Sequence, residues 1–240
     1  MQRALILVIL AAVFLAACSE DKIPDDVSLN QPVRDVLNND LAGGKLVQTF
    51  NLGSECFDLR VEYSTEYTTV GWRITDSKTL YMRAEMSNMD PNCNPEVLVE
   101  HMHADVSIKS RKEGIDGLKQ DSMDDSIHGG LQPGFSIVPP YHYENVFAIE
   151  GFSQTLISGW SFYYSGYGGG GINEKRLTEK SLVDDGGACA SKFQIVFDLL
   201  IRNPGEEAYH TRSVVSEFFV PVPGGNCAAL QIAEEKATPD

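Results

Sequence analysis

From Leu46 onward, apolar and polar residues alternate with a period of two, the spacing that places every second side chain on the same face of a pleated strand. Ten such segments are rich in Val, Ile, Phe, Tyr and Thr and are separated by Gly, Pro, Asn and Asp. They predict strands over Leu46–Asn51, Cys56–Tyr63, Thr69–Thr75, Thr79–Met86, Val97–Ser110, Phe135–Val138, Asn145–Phe152, Gly159–Ser165, Lys192–Arg202 and His210–Val222. No run of ten or more residues carries a helical apolar face. About ten short strands predict a mostly β protein, a single antiparallel β-sandwich of immunoglobulin-like or jelly-roll-like architecture over 46–232. Two small β domains are the alternative. The Cys/Trp/Tyr spacing of true immunoglobulin domains is missing, since neither Cys93 nor Cys189 has a Tyr two residues before it. Arg111–Gly134, with five acidic residues, reads as a long loop. Gly166 to Gly171 is too glycine-rich for a strand, and the polar tail over 233–240 reads as disordered.

The N-terminus follows a different pattern. After Arg3, residues Ala4 to Ala17 form an unbroken apolar run, shorter than the roughly 20 residues that a helix needs to cross a bilayer. It reads as the core of a secretory signal. The run ends in Leu15-Ala16-Ala17-Cys18, which resembles the lipobox of bacterial lipoproteins. That resemblance, confined to about the first 20 residues, implies that Cys18 is diacylated and becomes the new N-terminus. It also implies an exported protein held in the cell envelope. Ser19, where retained inner-membrane lipoproteins have Asp, favours the outer membrane in a cell that has one. Residues 18–45 then read as the lipidated cysteine and a flexible acidic tether, with a short helix predicted over Val33 to Leu41.

Charge narrows the partners. The chain has 19 basic and 34 acidic residues, a net charge of −15. Removal of the first 17 residues leaves 223 and takes Arg3 away, so the mature value is −16. A surplus of this sign argues against nucleic acid and against anionic headgroups, which leaves the lipid as the membrane contact. Cys56, Cys93, Cys189 and Cys227 form an even set in an exported chain, without a C-x-x-C pair, and read as two structural disulfides. The turn Asn203-Pro204-Gly205-Glu206 predicts a hairpin that brings Cys189 to Cys227, which pairs Cys56 with Cys93.

Candidate chemistry is sparse. On a strand, His101, His103 and Asp105 share one face, spaced by about 6.6 Å, while Leu98, Met102, Ala104, Val106 and Ile108 fill the core side. Two imidazoles and a carboxylate could hold Zn²⁺ or Cu²⁺ if His128, His142 or His210 completed the set; the alternative is a solvated polar face. The cupin pattern of strand-borne His-x-His fails, because Ser107 and Ile108 stand where that family has its glutamate. Met82, Met86, Met89 and Met102 suggest Cu(I), although Met82 and Met86 lie on one strand face with Leu80 and Ala84 and read better as core. Asp121, Asp124 and Asp125 could bind Ca²⁺ as loop carboxylates, and an EF-hand opening at Asp90 is excluded by Pro95 and His101.

Trp160, Phe162 and Tyr164 alternate as core residues. That leaves Tyr141, Tyr143, Tyr163 and Tyr167 as an exposed aromatic platform for a protein or glycan. G-x-S-x-G and GK[ST] are absent, while a paired-carboxylate hydrolase leaves no sequence signature. The sequence therefore predicts a lipid-anchored binding module without catalytic residues. Its alternatives are a metal-binding lipoprotein and, third, an envelope hydrolase.

Overall fold

A computed structural model describes residues 39–112, 115–126, 133–152, 179–184 and 186–226, all in the second of two compact units of the chain, 31–240. In chain order the described elements are β1 (Lys45–Asn51), β2 (Asp58–Ser64), β3 (Lys78–Ser87), β4 (Glu96–Ser110), β5 (Lys119–Ser126), β6 (Phe135–Ser136), β7 (Tyr143–Ile149), the short helix α1 (Glu179–Asp184), β8 (Ala188–Arg202) and β9 (His210–Pro221). They build two antiparallel sheets, β1-β2-β3-β7 and β5-β4-β8-β9, with β6 paired to one end of β4. This is the predicted β-sandwich.

The alternation decides which face is buried. Val61 and Tyr63 of β2, Leu80, Met82, Ala84 and Met86 of β3, Met102, Ala104 and Val106 of β4, and Phe193, Ile195, Phe197 and Leu199 of β8 all enter one core. The two predicted core methionines are therefore core, while Met89 is exposed. Aromatic rings join the sheets: Tyr63 lies 4.9 Å from Phe218 of β9, which stacks on Phe193 at 4.8 Å, and Tyr143 meets Phe197 edge-on at 6.3 Å. Buried Gln48 of β1 is satisfied across the sandwich, accepting from Ser216 Oγ at 2.6 Å and donating to the Glu217 carbonyl at 3.2 Å.

Four expectations need correction. First, Thr69–Thr75 is a sequence of turns. Gly71 sits at φ +87°, and Thr69 Oγ1 donates to the Leu41 carbonyl, so the buried Thr69 and Ile74 serve as plugs outside any ladder. Second, Lys119–Ser126 is a strand inside the predicted acidic loop. Its sequence has little strand propensity, and pairing with β4 from His101↔Ser126 to Ser107↔Lys119 supplies what propensity does not. Third, Leu41 is fully buried in the main core, so the folded domain starts before Leu46 and the tether is correspondingly shorter. Fourth, the β4–β8 register slips between Val99 and His101. This bulge brings Val97 and Val99 into the main core, while Leu98 is buried outside it.

The Asn203 turn closes the β8–β9 hairpin as predicted, with the Glu206 amide donating to the Asn203 carbonyl at 3.0 Å. Cys56 and Cys93 form a disulfide. Cys189 is also disulfide-bonded, and the Val222 amide donates to its carbonyl at 3.0 Å. Its expected partner Cys227 lies outside the described residues, as do Cys18, the signal, the 18–38 tether, the Gly159–Ser165 strand, the glycine run and the 233–240 tail.

Candidate functional site

Strand β4 presents His101, His103 and Asp105 on the outward face of its sheet, as the alternation predicts. Neighbouring strands turn this face into a continuous row. His101 Nδ1 lies 3.1 Å from Asp198 Oδ2 of β8, and its Nε2 lies 3.1 Å from Asp124 Oδ1 of β5. The same Asp124 oxygen is 2.7 Å from His103 Nδ1, His103 Nε2 is 2.9 Å from Asp105 Oδ2, and Lys119 Nζ is 2.8 Å from Asp105 Oδ1. Ser213 of β9 donates to the second oxygen of Asp198. The order Asp198, His101, Asp124, His103, Asp105, Lys119 alternates in sign throughout once both imidazoles are protonated.

Every imidazole nitrogen in the row faces a carboxylate, which accepts and does not donate, so the geometry calls for two N–H donors per ring. A metal ligand needs an unprotonated nitrogen. The arrangement is therefore that of an ion-pair row, and among the described residues no group of three or more His, Cys, Asp or Glu is placed to hold a metal ion. The donors expected to complete a Zn²⁺ or Cu²⁺ site are engaged elsewhere, His142 with Glu144 at 2.8 Å and His210 with Glu55 at 3.2 Å. His128 lies outside the described residues.

The Ca²⁺ carboxylates do not converge. On β5 consecutive side chains leave by opposite faces, so Asp124 joins the histidine row while Asp125 turns inward and accepts from Tyr143 Oη at 2.6 Å and Asn145 Nδ2 at 2.7 Å. Asp121 instead accepts from the Glu150 amide at 2.8 Å. Paired-carboxylate chemistry also fits this row poorly. Hydrogen bonds from His103 and then His101 hold Asp124 below the ordinary carboxylate range. For Asp105 burial opposes the charged form, but Lys119 and His103 outweigh it. A proton-donating acid needs the opposite shift.

Both histidine pKa values are raised, His101 mainly by its hydrogen bond with Asp198 and His103 mainly by that with Asp124. A raised folded-state value means that the stabilisation is complete below the unfolded value of 6.5 and is lost as pH rises through the folded values. The depressed carboxylates set the acid limit, because their contribution disappears as pH falls below 3.8 and through their folded values. Urea titrations should therefore show wild-type stability falling between about pH 6 and pH 8, relative to a His101→Gln/His103→Gln variant, by about 1 kcal/mol after allowance for solvent screening. Lys78, pushed down to about 8 by burial, acts with the opposite sign, but it is common to both proteins and cancels. Identical pH profiles for the two proteins would refute the row.

The aromatic platform is only partly as predicted. Tyr141 is 64% exposed, but Tyr143 is 3% exposed and belongs to the core, its hydroxyl held by Asp125 and its pKa raised by burial. Tyr143 is thus removed from the surface set because its β7 position points inward, opposite Ala84 of β3. Tyr163 and Tyr167 lie outside the described residues. Phe135 of β6, read from sequence only as a strand residue, is 46% exposed and packs edge-on against Tyr143 at 6.1 Å. Sequence also missed Asp198 and Lys119, which join the histidine row only through strand pairing. The outer face of the other sheet carries its own ladder, Lys45–Glu62–Arg60–Glu85–Arg83–Glu144, with contacts from 2.6 to 3.6 Å. Comparison with protein-family models and with curated proteins finds no match to this chain.

Proposed function

We propose that the protein is a lipoprotein of the bacterial cell envelope, anchored through Cys18, whose β-sandwich is a non-enzymatic binding module for a protein or glycan. The observation that carries this reading is the pair Phe135 and Tyr141, large rings left exposed beside a rigid core, with Phe135 braced by buried Tyr143. Rigid aromatic area of this kind gives contact surface at low entropic cost. The Leu15-Ala16-Ala17-Cys18 sequence supports the anchor, and two or more acyl chains suffice for stable attachment.

Two arms test the proposal on the full chain. Cys18→Ala should abolish labelling by radioactive palmitate and move the protein from the detergent-rich to the aqueous phase; retained label overturns the anchor. Against an array of neutral envelope oligosaccharides and purified envelope proteins, a Phe135→Ala/Tyr141→Ala variant with unchanged melting should bind at least about tenfold more weakly than wild type. Unchanged binding overturns the aromatic site.

A further inference from the structure

We propose that a depression on the outer face of the β5-β4-β8-β9 sheet binds a compact oxyanion-bearing molecule, held chiefly by Lys109, Lys119 and Lys192. The cavity measures about 290 Å³ and lies beside the histidine row, with Asp105 on its rim. Its floor is the outward face of three strands. Ser107 of β4 pairs with Lys192 of β8 on one side and Lys119 of β5 on the other, and Asp105 lies opposite Gln194. The turn through Asp116 and Gly117 closes one end.

A register shift shapes the site. Val106 pairs with Asp121 but Ser107 pairs with Lys119, which leaves Gln120 as the extra residue of a bulge. The Gln120 side chain turns inward, donating to the Glu150 carbonyl at 2.8 Å and the Ile74 carbonyl at 3.3 Å. Lys119 is thereby aimed outward at the rim.

Hydrogen-bonding capacity identifies the ligand class. Both lining carboxylates are engaged: Asp116 accepts from Lys109 Nζ at 3.1 Å and from the Ser110 amide at 2.9 Å, and Asp105 lies between Lys119 and His103. Lys192 pairs with Glu217 at 2.6 Å. Each ammonium has three N–H donors, and each pairing occupies one. The remaining capacity is a surplus of charged donors, three lysines against two aspartates, in a chain where acidic residues outnumber basic ones by 34 to 19. An acceptor-rich anion satisfies that surplus, whereas a cation or a neutral sugar does not.

The row also modulates the site. When His103 is protonated it shares Asp105 with Lys119 and loosens that ammonium for a ligand, while Asp124 and Asp198 keep the two imidazoles charged. The oxyanion should accordingly bind more tightly at about pH 6 than at pH 8.

Titration calorimetry of the full chain in micelles at fixed ionic strength tests this with inorganic phosphate, malonate and sulfate. Saturable binding with a Kd at or below about 1 mM is expected for phosphate or malonate. Whichever binds more tightly identifies the oxyanion as phosphate or carboxylate. Lys109→Gln and Lys192→Gln should each weaken binding by about fivefold with unchanged melting, and Lys45→Gln, the same charge change on the other sheet, should not. Sulfate, a dianion at both pH values, should show the gain at lower pH, and His103→Gln should remove it. Failure to saturate, or equal weakening by Lys45→Gln, overturns the site. Phe135→Ala/Tyr141→Ala should leave oxyanion binding intact, so this proposal and the aromatic surface fail independently.

Discussion

Phe218→Ala is expected to destabilise the protein by about 3–5 kcal/mol, read as a lower urea midpoint at unchanged slope. The ring is fully buried on β9, stacked on Phe193 within its own sheet at 4.8 Å and packed on Tyr63 of the opposite sheet at 4.9 Å. Truncation removes the transfer free energy of the ring and leaves a void between two sheets. Their backbones are held by ladders on either side of Phe193, so collapse into that void is limited. A loss below about 1 kcal/mol would mean that the two sheets do not share this core.

Removing the Cys56–Cys93 disulfide, as Cys56→Ser/Cys93→Ser, should cost about 3–4 kcal/mol. The bridge spans 37 residues and encloses β2, the turns around Gly71 and β3, so opening it releases a long loop in the unfolded chain. The loss should be present in oxidising buffer and should disappear when wild type and variant are compared under a strong reductant. Equal stability of the two proteins in oxidising buffer would refute the bridge. Because Phe218 and the disulfide share no contact partners, the two losses should add.

Period-two patterning is a local property, and what followed from it was legible before any coordinates. It located most strands, placed Met82 and Met86 in the core, and set His101, His103 and Asp105 on a common face. It misled where the backbone departs from regular pleating. Gly71 at positive φ turns Thr69–Thr75 into a plug, and the bulge after Val99 exchanges Leu98 for its neighbours in the core. Lys119–Ser126 looked like a loop because its acidic residues have no local reason to extend, and only the open edge of β4 gives them one.

The sequence by itself determined the fold class, the polar face of β4 and a chemical inventory poor in nucleophiles. Tertiary structure decided what those groups do. Strand pairing between residues 23 to 97 apart brings Asp124 and Asp198 to His101, and this occupies imidazole nitrogens that a metal would need. It also sends Tyr143 inward, leaves Phe135 and Tyr141 outside, and gathers Lys109, Lys119 and Lys192 from three strands around one depression. The physical reason is the same in each case. Alternation along a strand fixes which face a side chain takes, whereas its neighbours on that face are set by register with strands distant in sequence.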